Sequence, residues 1–595
     1  MCNILGYFNT KLSLNEIEKY NKRLSHRGPD ASCVKEYDFK NKKLFLAHNR
    51  LAIQDLNPNA NQPMENERFV IVFNGEIYNH FEIRWELSFR GFRTHSDTET
   101  LLWAFTEWGV EKAISKLNGM FAIALFDKQE QMLYLIRDRV GIKPLYWTFQ
   151  HGEFVFSSEL KGIRDELKTP DIDSLVKFVS LGYTPNDKSY YKNIYKLKPA
   201  HYLIFDGENI KIKRYWNLPK GKIDIGFDEA VEEVEHLLKD SVKKRLLADV
   251  EVGSFLSGGI DSSLVSAIMA EVSNKQIKTF TIGFKEEGYN EAEYAKKIAQ
   301  IIGSEHYEYF FDAKDVLDLM DDLDYYYNEP FGDASALPML LLSRTTKKRV
   351  TVALSGDGGD ELFLGYDRYF FTKKYYLLLR HMPFKTLISR IFSILPNDKL
   401  EKMALPVKNP TYENLYSVLY FAIKPWQLDM VFNKDMLNGL DISFKGILEY
   451  SNNLKTIDDL SRLDFYRYLP DDILVKVDRA TMAYSLEARV PILDHRIVEI
   501  AYKLPEQVKL TKGRKSILRK ILYKYIPKDI VDRPKHGFSV PLKIWFRNEL
   551  KELLFEKIKS LDGSIFNKKS LLNLFEKHQR GYNYEYLFWN LMRVK

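Results

Sequence analysis

Two cysteines in 595 residues, Cys2 and Cys33, are too few for a disulfide framework and fit a reducing compartment. No apolar run approaches the roughly twenty residues that span a bilayer. The start MCNILGYFNTK has neither the basic n-region nor the long apolar core of a signal peptide. A cytoplasmic protein without a membrane partner is expected, and its mature form should begin here, less Met1. Blocks of like charge are also missing. The net charge is +7, with Lys and Arg interleaved among Asp and Glu, so no stripe for nucleic acid stands out. There is no fixed-period repeat and no low-complexity tract. The histidines, His26, His48 and His536 among them, show no metal-ligand spacing.

What is present is an ordinary globular composition, 45% apolar and 28% charged, long enough for two to four domains. Up to about residue 215 the chain reads as short strands and turns, as in LFLAHNRLAI, RFVIVFNGEIYN, MFAIALFDKQEQMLYLIRD and FVFSSE. A turn-rich segment, WNLPKGKIDIGFDEA, leads into a helix with Phe227, Ala230, Val231, Val234, Leu237 and Leu238 on one face. This places a boundary within 210–225 and two domains at 1–215 and 216–595. Beyond it, VEVGSFL, KTFTIGF and RVTVALS alternate with helices from Ser263 and Glu291, which predicts a doubly wound parallel sheet. After about residue 370 the chain reads as mostly helical.

Ligands of such sheets bind at the carboxyl ends of the strands. The residues there are Ser257-Gly258-Gly259-Ile260-Asp261-Ser262-Ser263, then Gly283, then Ser355-Gly356-Asp357-Gly358-Gly359-Asp360-Glu361. SGGIDSS offers glycines for close backbone approach, hydroxyls and a helix N-terminus, a set that cradles phosphate. It lacks the lysine of GxxxxGK[ST] and so does not hold a γ-phosphate for transfer. On its own it also reads as a Gly-rich strand-to-helix turn. Asp261 and Asp360, after neighbouring strands, add the carboxylates that hold Mg²⁺ beside phosphates.

Cys2 stands directly behind Met1. If Met1 is removed, its thiol lies beside a free α-amine of reference pKa about 7.7–8.0, which can serve as a general base. Taken alone, Cys2 is also simply the second residue of an early strand.

SGGIDSS resembles the pyrophosphate loop of the N-type ATP pyrophosphatases, and the chain as a whole resembles the glutamine-hydrolysing asparagine synthetases. Further matching blocks are NEPFGDASALP, ALSGDGGDELF, YLPDDILVKVDRATMAYSLEARVPILDHR and DRPKHGFSVPL. The first part matches a class II glutaminase through HRGPD, HNRLAI, FNGEIYN, SDTE, NGMFA, RDRVGIKPLY and FSSELK. The resemblance runs from residue 2 to about residue 550. It implies an Ntn-type αββα sandwich followed by an α/β ATP pyrophosphatase domain with a mostly helical end.

The resemblance also implies roles. Cys2 would attack the glutamine amide and form a thioester, and Asn74 and Gly75 would donate to the oxyanion. Arg50, with Leu51 and Ile53 behind it, would bind the glutamine α-carboxylate, and Glu76 and Asp97 its ammonium. Other readings are an ion pair for Arg50, a type I′ turn for Asn74-Gly75 and an N-cap for Asp97. In the second domain, ATP would bind at Leu256, Ser257, Gly258, Gly259, Asp261, Ser262, Ile282, Ser355 and Gly356, with Mg²⁺ on Asp261 and Asp360. Lys535 would hold the leaving pyrophosphate. Asp478, Arg479, Glu487 and Arg489 lie in the block nearest that site, with buried ion pairs as the other reading.

AMP transfer from ATP would make a carboxylate attackable by ammonia. Asp357 suits an α-ammonium, so free aspartate is the favoured acceptor, followed by a carboxylate on a sugar, peptide or other metabolite. A catalytically dead regulatory protein is disfavoured, because nucleophile, clamp, phosphate loop and metal carboxylates are all present. The small molecules glutamine, aspartate and ATP are the expected partners, and a homodimer is compatible with them. Two departures stand out: Asn3 where the family has Gly, and Phe363-Leu364-Gly365-Tyr366 where it has Phe-Gly-Gly-Tyr. Asn3 is expected either to take φ > 0 in place of Gly or to crowd the glutamine amide. Cys33 reads as a small core residue.

Overall fold

The structure, a computed structural model, describes residues 2–284, 291–395, 397–450, 452–532 and 540–594. Its first part contains strands β1 (Asn3–Phe8), β2 (Ala31–Phe39), β3 (Lys42–Arg50), β4 (Met64–Glu65), β5 (Phe69–Ile77), β6 (Gly119–Asp127), β7 (Met132–Arg137), β8 (Tyr146–Gln150), β9 (Glu153–Ser157), β10 (Ile194–Lys196), β11 (His201–Phe205) and β12 (Ile210–Arg214). They form two antiparallel six-stranded sheets, ordered β10-β8-β9-β1-β3-β2 and β12-β11-β7-β6-β5-β4.

Period-two alternation explains the layering. Along β5, Val70 and Val72 enter the core between the sheets, while Phe69, Ile71 and Phe73 pack under the helices Asp97–Trp108 and Val110–Lys116. Along β1, Ile4 and Phe8 face the other sheet, and Leu5 and Tyr7 pack with Ile17 of the helix Leu14–Lys22. Strands covered on both faces read as continuous apolar runs, and the result is the expected αββα sandwich.

The second part holds a parallel sheet of β13 (Val252–Phe255), β14 (Lys278–Phe284), β15 (Glu305–Phe311), β16 (Val352–Leu354) and β17 (Glu487–Arg489), ordered β15-β14-β13-β16-β17. The chain leaves β13 first toward β14 and later toward β16, so the strand order reverses between β13 and β16. Both of their following loops open into that crevice, the position where doubly wound sheets bind ligands. Gly283, expected after the second strand, lies inside β14, paired with Phe310. β17 is a strand within the stretch read as helical, because its three buried residues complete the sheet edge beside β16.

The two parts share apolar cores. Leu51, Ile53, Tyr78 and Met120 pack in one cluster with Val352 and Leu354, and Phe178 and Val179 pack in another with Phe280 and Trp589. The proposed boundary at residue 215 follows β12.

Candidate active sites and their connection

Cys2 is buried just ahead of β1. Its backbone N–H donates to Asn74 Oδ1 at 3.2 Å, and its Sγ lies 4.0 Å from the Leu51 carbonyl. Burial pushes the Cys2 thiol up. Asn74 and Gly75 are not a hairpin turn. They sit within β5, opposite Ala122 and Phe121 of β6. Asn74 Nδ2 is buried and unpaired, a donor in wait for an acceptor. Gly75 has φ +154°, and a Cβ there would lie 2.0 Å from the Met120 carbonyl oxygen, so only glycine lets the backbone bend beside Cys2.

Arg50, at the end of β3, makes no surface ion pair. Its guanidinium donates to Asn57 O and Asn61 Oδ1, both at 2.9 Å, and to the Asp55 carbonyl, all neutral acceptors. A buried cation held only by neutral groups suits an anionic ligand. Leu51 and Ile53 follow it, both buried, and Ile53 O accepts the Asp249 N–H of the second part at 2.8 Å. Asp97 is not an N-cap. Ser96 caps the helix, and Asp97 Oδ2 instead accepts the Ile77 N–H at 2.9 Å. Burial pushes Asp97 up to about 6 and Glu76 well above the usual carboxylate range. Glu487 raises Glu76 further, and Arg489, with Nη2 3.5 Å from Glu76 Oε2, offsets only part of this.

Asn3 corrects both readings of its role. It is extended in β1, opposite Asn49, and is not among the positive-φ residues. By strand alternation its side chain lies on the face opposite Cys2, where Nδ2 donates to Asn21 Oδ1 at 3.1 Å. Asn21 in turn donates to Asn49 Oδ1 at 3.0 Å. The side chain therefore does not crowd the amide-binding side. Cys33 is half-buried on β2 beside His48, not a core residue. His48 Nε2 lies 3.1 Å from Phe73 O, and burial lowers its pKa to about 3. Among the described residues no group of three His, Cys, Asp or Glu could hold a metal ion.

The second site is a cavity of about 400 Å³ at the β13/β16 crevice. Ser257, Gly258, Gly259, Asp261 and Ser262 form one wall, and Ser355, Gly356, Asp357 and Asp360 another. Ser257 N–H donates to Ser262 Oγ at 3.1 Å, curling the loop onto the first turn of the helix Ile260–Val272. The two loops touch: a Cβ on Gly356 would lie 2.5 Å from Ser262 N, so glycine is required for their approach. Leu256 and Ile282, expected to contact ATP, are buried and are not among the described residues that line the cavity, while Phe255, Met339 and Leu342 supply its apolar lining.

Asp261 and Asp360 converge as expected, on a residue the sequence did not single out. Lys515 Nζ lies 2.5 Å from Asp261 Oδ2 and 2.6 Å from Asp360 Oδ1. Burial disfavours its charge, but the two carboxylates outweigh burial and hold the ammonium protonated. Lys515 is 254 residues from Asp261, and no spacing could link them. Lys476 is a second missed residue. It lines the cavity, reaches Asp333 Oδ2 at 2.9 Å and lowers Asp357, whose carboxyl burial nevertheless raises. Ser355 Oγ donates to Asp357. Lys535 lies outside the described residues, as does His536.

Asp478, Arg479, Glu487 and Arg489 do not line this cavity; they join the two parts. Arg27 donates to Asp478 at 2.8 and 3.0 Å, to Glu159 at 2.8 Å and to the Cys2 carbonyl at 3.3 Å. Arg479 meets Glu159 at 2.7 Å. Arg489 meets Glu487 at 2.5 Å, and its carbonyl accepts the N–H of Ser355 at 2.8 Å. Burial alone would raise Glu487, but Arg489, the chain N-terminus and Lys143 together outweigh it and leave the carboxyl low. His26, whose pKa burial lowers, is 3.3 Å from Glu159 in the same network.

The model of the asparagine synthase family matches residues 233–595, and that of the glutamine amidotransferase domain matches residues 1–216. The chain is similar to glutamine-hydrolysing asparagine synthetase 1 of Bacillus subtilis (strain 168), at 33% identity covering 97% of this chain and 93% of that one. It is also similar to a putative glutamine-hydrolysing asparagine synthetase 2 of Methanocaldococcus jannaschii, at 36% identity over 81% and 98%. Asparagine synthetase B of Escherichia coli (strain K12) is 28% identical over 94% and 85%. The chain belongs to the glutamine-hydrolysing asparagine synthetase family of ATP-dependent ligases, with an amidotransferase domain ahead of the synthase domain.

Proposed function

We propose that the acceptor amidated by this enzyme is free aspartate, activated as β-aspartyl-AMP. The observation that carries this reading is the single cavity in which the phosphate loop, the Asp261–Lys515–Asp360 cluster and the Asp357–Lys476 pair meet. At one end, Ser257 to Ser262 offer N–H and hydroxyl groups to pyrophosphate. Beside it, Lys476 suits the α-carboxylate of an amino acid, and Asp357 suits its ammonium.

In the proposed reaction, a carboxylate oxygen of aspartate attacks the α-phosphorus of ATP and pyrophosphate leaves. Ammonia then attacks the acyl carbon, AMP departs and asparagine forms. Asp261 and Asp360 would hold Mg²⁺, which two convergent carboxylates fit. Bound there, the metal would neutralise charge on the phosphates. Lys515, which now fills the position between them, would have to yield. Lys535 would steady the leaving pyrophosphate, so Lys535→Ala should lower turnover more than aspartate affinity.

The ammonia would come from glutamine. The Cys2 thiolate attacks the amide carbon, its α-amine takes up the thiol proton once Met1 is removed, and water later releases glutamate from the thioester. Asn74 Nδ2 and the Gly75 N–H would stabilise the oxyanion. Arg50 would bind the glutamine carboxylate. Glu76 and Asp97, whose carboxyls burial has raised, gain most from an arriving ammonium. A cytoplasmic site of action fits these substrates.

Pyrophosphate release with ATP and ammonium, assayed across candidate acids, tests the acceptor. Stimulation by aspartate is expected. Stimulation only by another carboxylate would reassign the substrate while leaving the adenylation chemistry in place.

A further inference from the structure

Beside the nucleotide cavity lies a second cavity of about 410 Å³. Among the described residues its charged lining is Lys512, Arg519, Lys520, Lys524 and Lys528, with Asp532 as the one carboxylate. The spacing explains the wall. Ser516, Arg519, Lys520 and Tyr523 recur at three and four residues along the helix Ser516–Leu522 and the turn after it, so they share one face. The two cavities meet at Arg519, which lines both, while Val531 lines the first and Asp532 the second.

Part of this positive charge is already answered. Asp532 accepts from Arg519 Nη1 at 2.7 Å and from the Tyr523 hydroxyl at 2.6 Å. Glu235, on the packed helix Phe227–Arg245, meets Lys524 at 2.5 Å and Lys239 at 3.3 Å. Glu271, on the helix Ile260–Val272, is taken by Lys239 at 2.9 Å and by the Tyr525 hydroxyl at 2.7 Å. The exposed carboxylates Asp228, Glu229, Glu232 and Asp529 are not among the residues that line the cavity. Lys512, Lys520 and Lys528 are left without an ion pair among the described residues. Lys512 and Lys528 rest over the rings of Phe227 and Tyr523, at 5.7 and 5.1 Å. Arg519 Nε is buried and has no acceptor among the described residues. Like charges four residues apart on a helix face repel, and a buried donor without an acceptor is costly. An anion with several oxygens relieves both.

We propose that this cavity is a second pyrophosphate site, which takes up the pyrophosphate leaving the nucleotide cavity on its way to solvent. Pyrophosphate carries several negative charges on a short frame and presents oxygens at both ends. One phosphoryl group meets the Arg519 guanidinium, and the other is gathered by the point charges of Lys520 and Lys528. The transfer makes and breaks no covalent bond. The source of the ligand rests on the adenylation proposed above, which releases pyrophosphate on the other side of Arg519; the binding chemistry does not rest on it.

Equilibrium dialysis of the full chain against labelled pyrophosphate tests this, with the nucleotide cavity saturated by α,β-methylene ATP, whose α–β linkage cannot be cleaved. One further pyrophosphate per chain is expected, bound less tightly as salt is raised. Lys520→Ala/Lys528→Ala should weaken it at least about tenfold, while Lys520→Arg/Lys528→Arg should retain it. An unchanged melting temperature and unchanged glutamate release from glutamine would show that both variants are folded. No pyrophosphate bound beside the analogue overturns the proposal, as does parental binding by the alanine variant. Equal affinity for orthophosphate and pyrophosphate overturns it too, since the cavity would then be a general anion patch. If dialysis finds the site but aspartate releases no pyrophosphate, the adenylation reading falls and the binding site stands.

Discussion

Arg27 and Asp478, 451 residues apart, meet through two hydrogen bonds of 2.8 and 3.0 Å with neither side chain appreciably exposed. Arg27 also holds the carbonyl of Cys2, so one buried guanidinium ties the proposed nucleophile to the synthase half. The pair makes a prediction of its own. Asp478→Ala removes one partner and leaves Arg27 short of an anion, which typically costs about 3–5 kcal/mol. Thermal unfolding should show the loss, and glutamine-dependent turnover should fall more than ammonium-dependent turnover. Equal loss with both nitrogen donors would mean the pair only holds the fold.

Asp261→Asn should abolish aspartate-dependent pyrophosphate release while glutamate release from glutamine stays measurable. The cavity and Cys2 lie in different sheets and use different residues. Near-parental pyrophosphate release by this variant would remove Asp261 from the nucleotide site.

Lys515→Met removes the ammonium that lies between two half-buried carboxylates. The lost attraction should lower stability without ligand. Added Mg²⁺ should raise the melting temperature of this variant more than that of the parent, because the ion no longer competes with an ammonium. An equal shift in both proteins would place the metal elsewhere.

Binding of the glutamine ammonium requires Asp97 as a carboxylate, and burial sets its proton loss at about pH 6. Above that pH Asp97 is charged and its own contribution to the KM for glutamine should be flat. As pH falls through about 6, Asp97 takes up a proton and the KM should rise by up to tenfold per unit. Asp97→Asn should raise KM strongly and flatten this profile, as read from glutamate release. A parental profile in the variant would assign the titration to another group.

Asn3→Gly is expected to bring no gain in glutamine hydrolysis. Its amide bonds Asn21 on the face away from Cys2, and removing it leaves Asn21 Oδ1 short of a donor, at about 1–3 kcal/mol. Improved hydrolysis would show that Asn3 reaches the amide-binding side after all. Cys2→Ala should abolish glutamate release, and intact mass should show a chain that starts at Cys2. Retained Met1 in an active glutaminase would exclude the α-amine as base.

The sequence by itself determined the strand-rich character of the first part, the parallel sheet and the local loops, while the sandwich was what the resemblance implied. Strand periodicity, the glycines of Ser257–Gly259 and Ser355–Gly359, and the residues following each strand are short-range features, set by backbone sterics and by burial of alternate side chains. It also showed that Leu364 departs from a usual glycine. The structure gives the consequence, a fully buried leucine held at φ +57°. Only the tertiary structure decided which charges meet. Lys515 joins Asp261 and Asp360, Lys476 joins Asp333, and Arg489 links Glu76 to the loop that begins at Ser355. It also moved Asn74 and Gly75 from a turn into a strand, because β6 pairs with β5 along its full length. These partners lie far apart along the chain, and a buried ion pair leaves no periodicity behind. Its geometry is fixed by the packing of distant elements and by the high cost of leaving a buried charge alone.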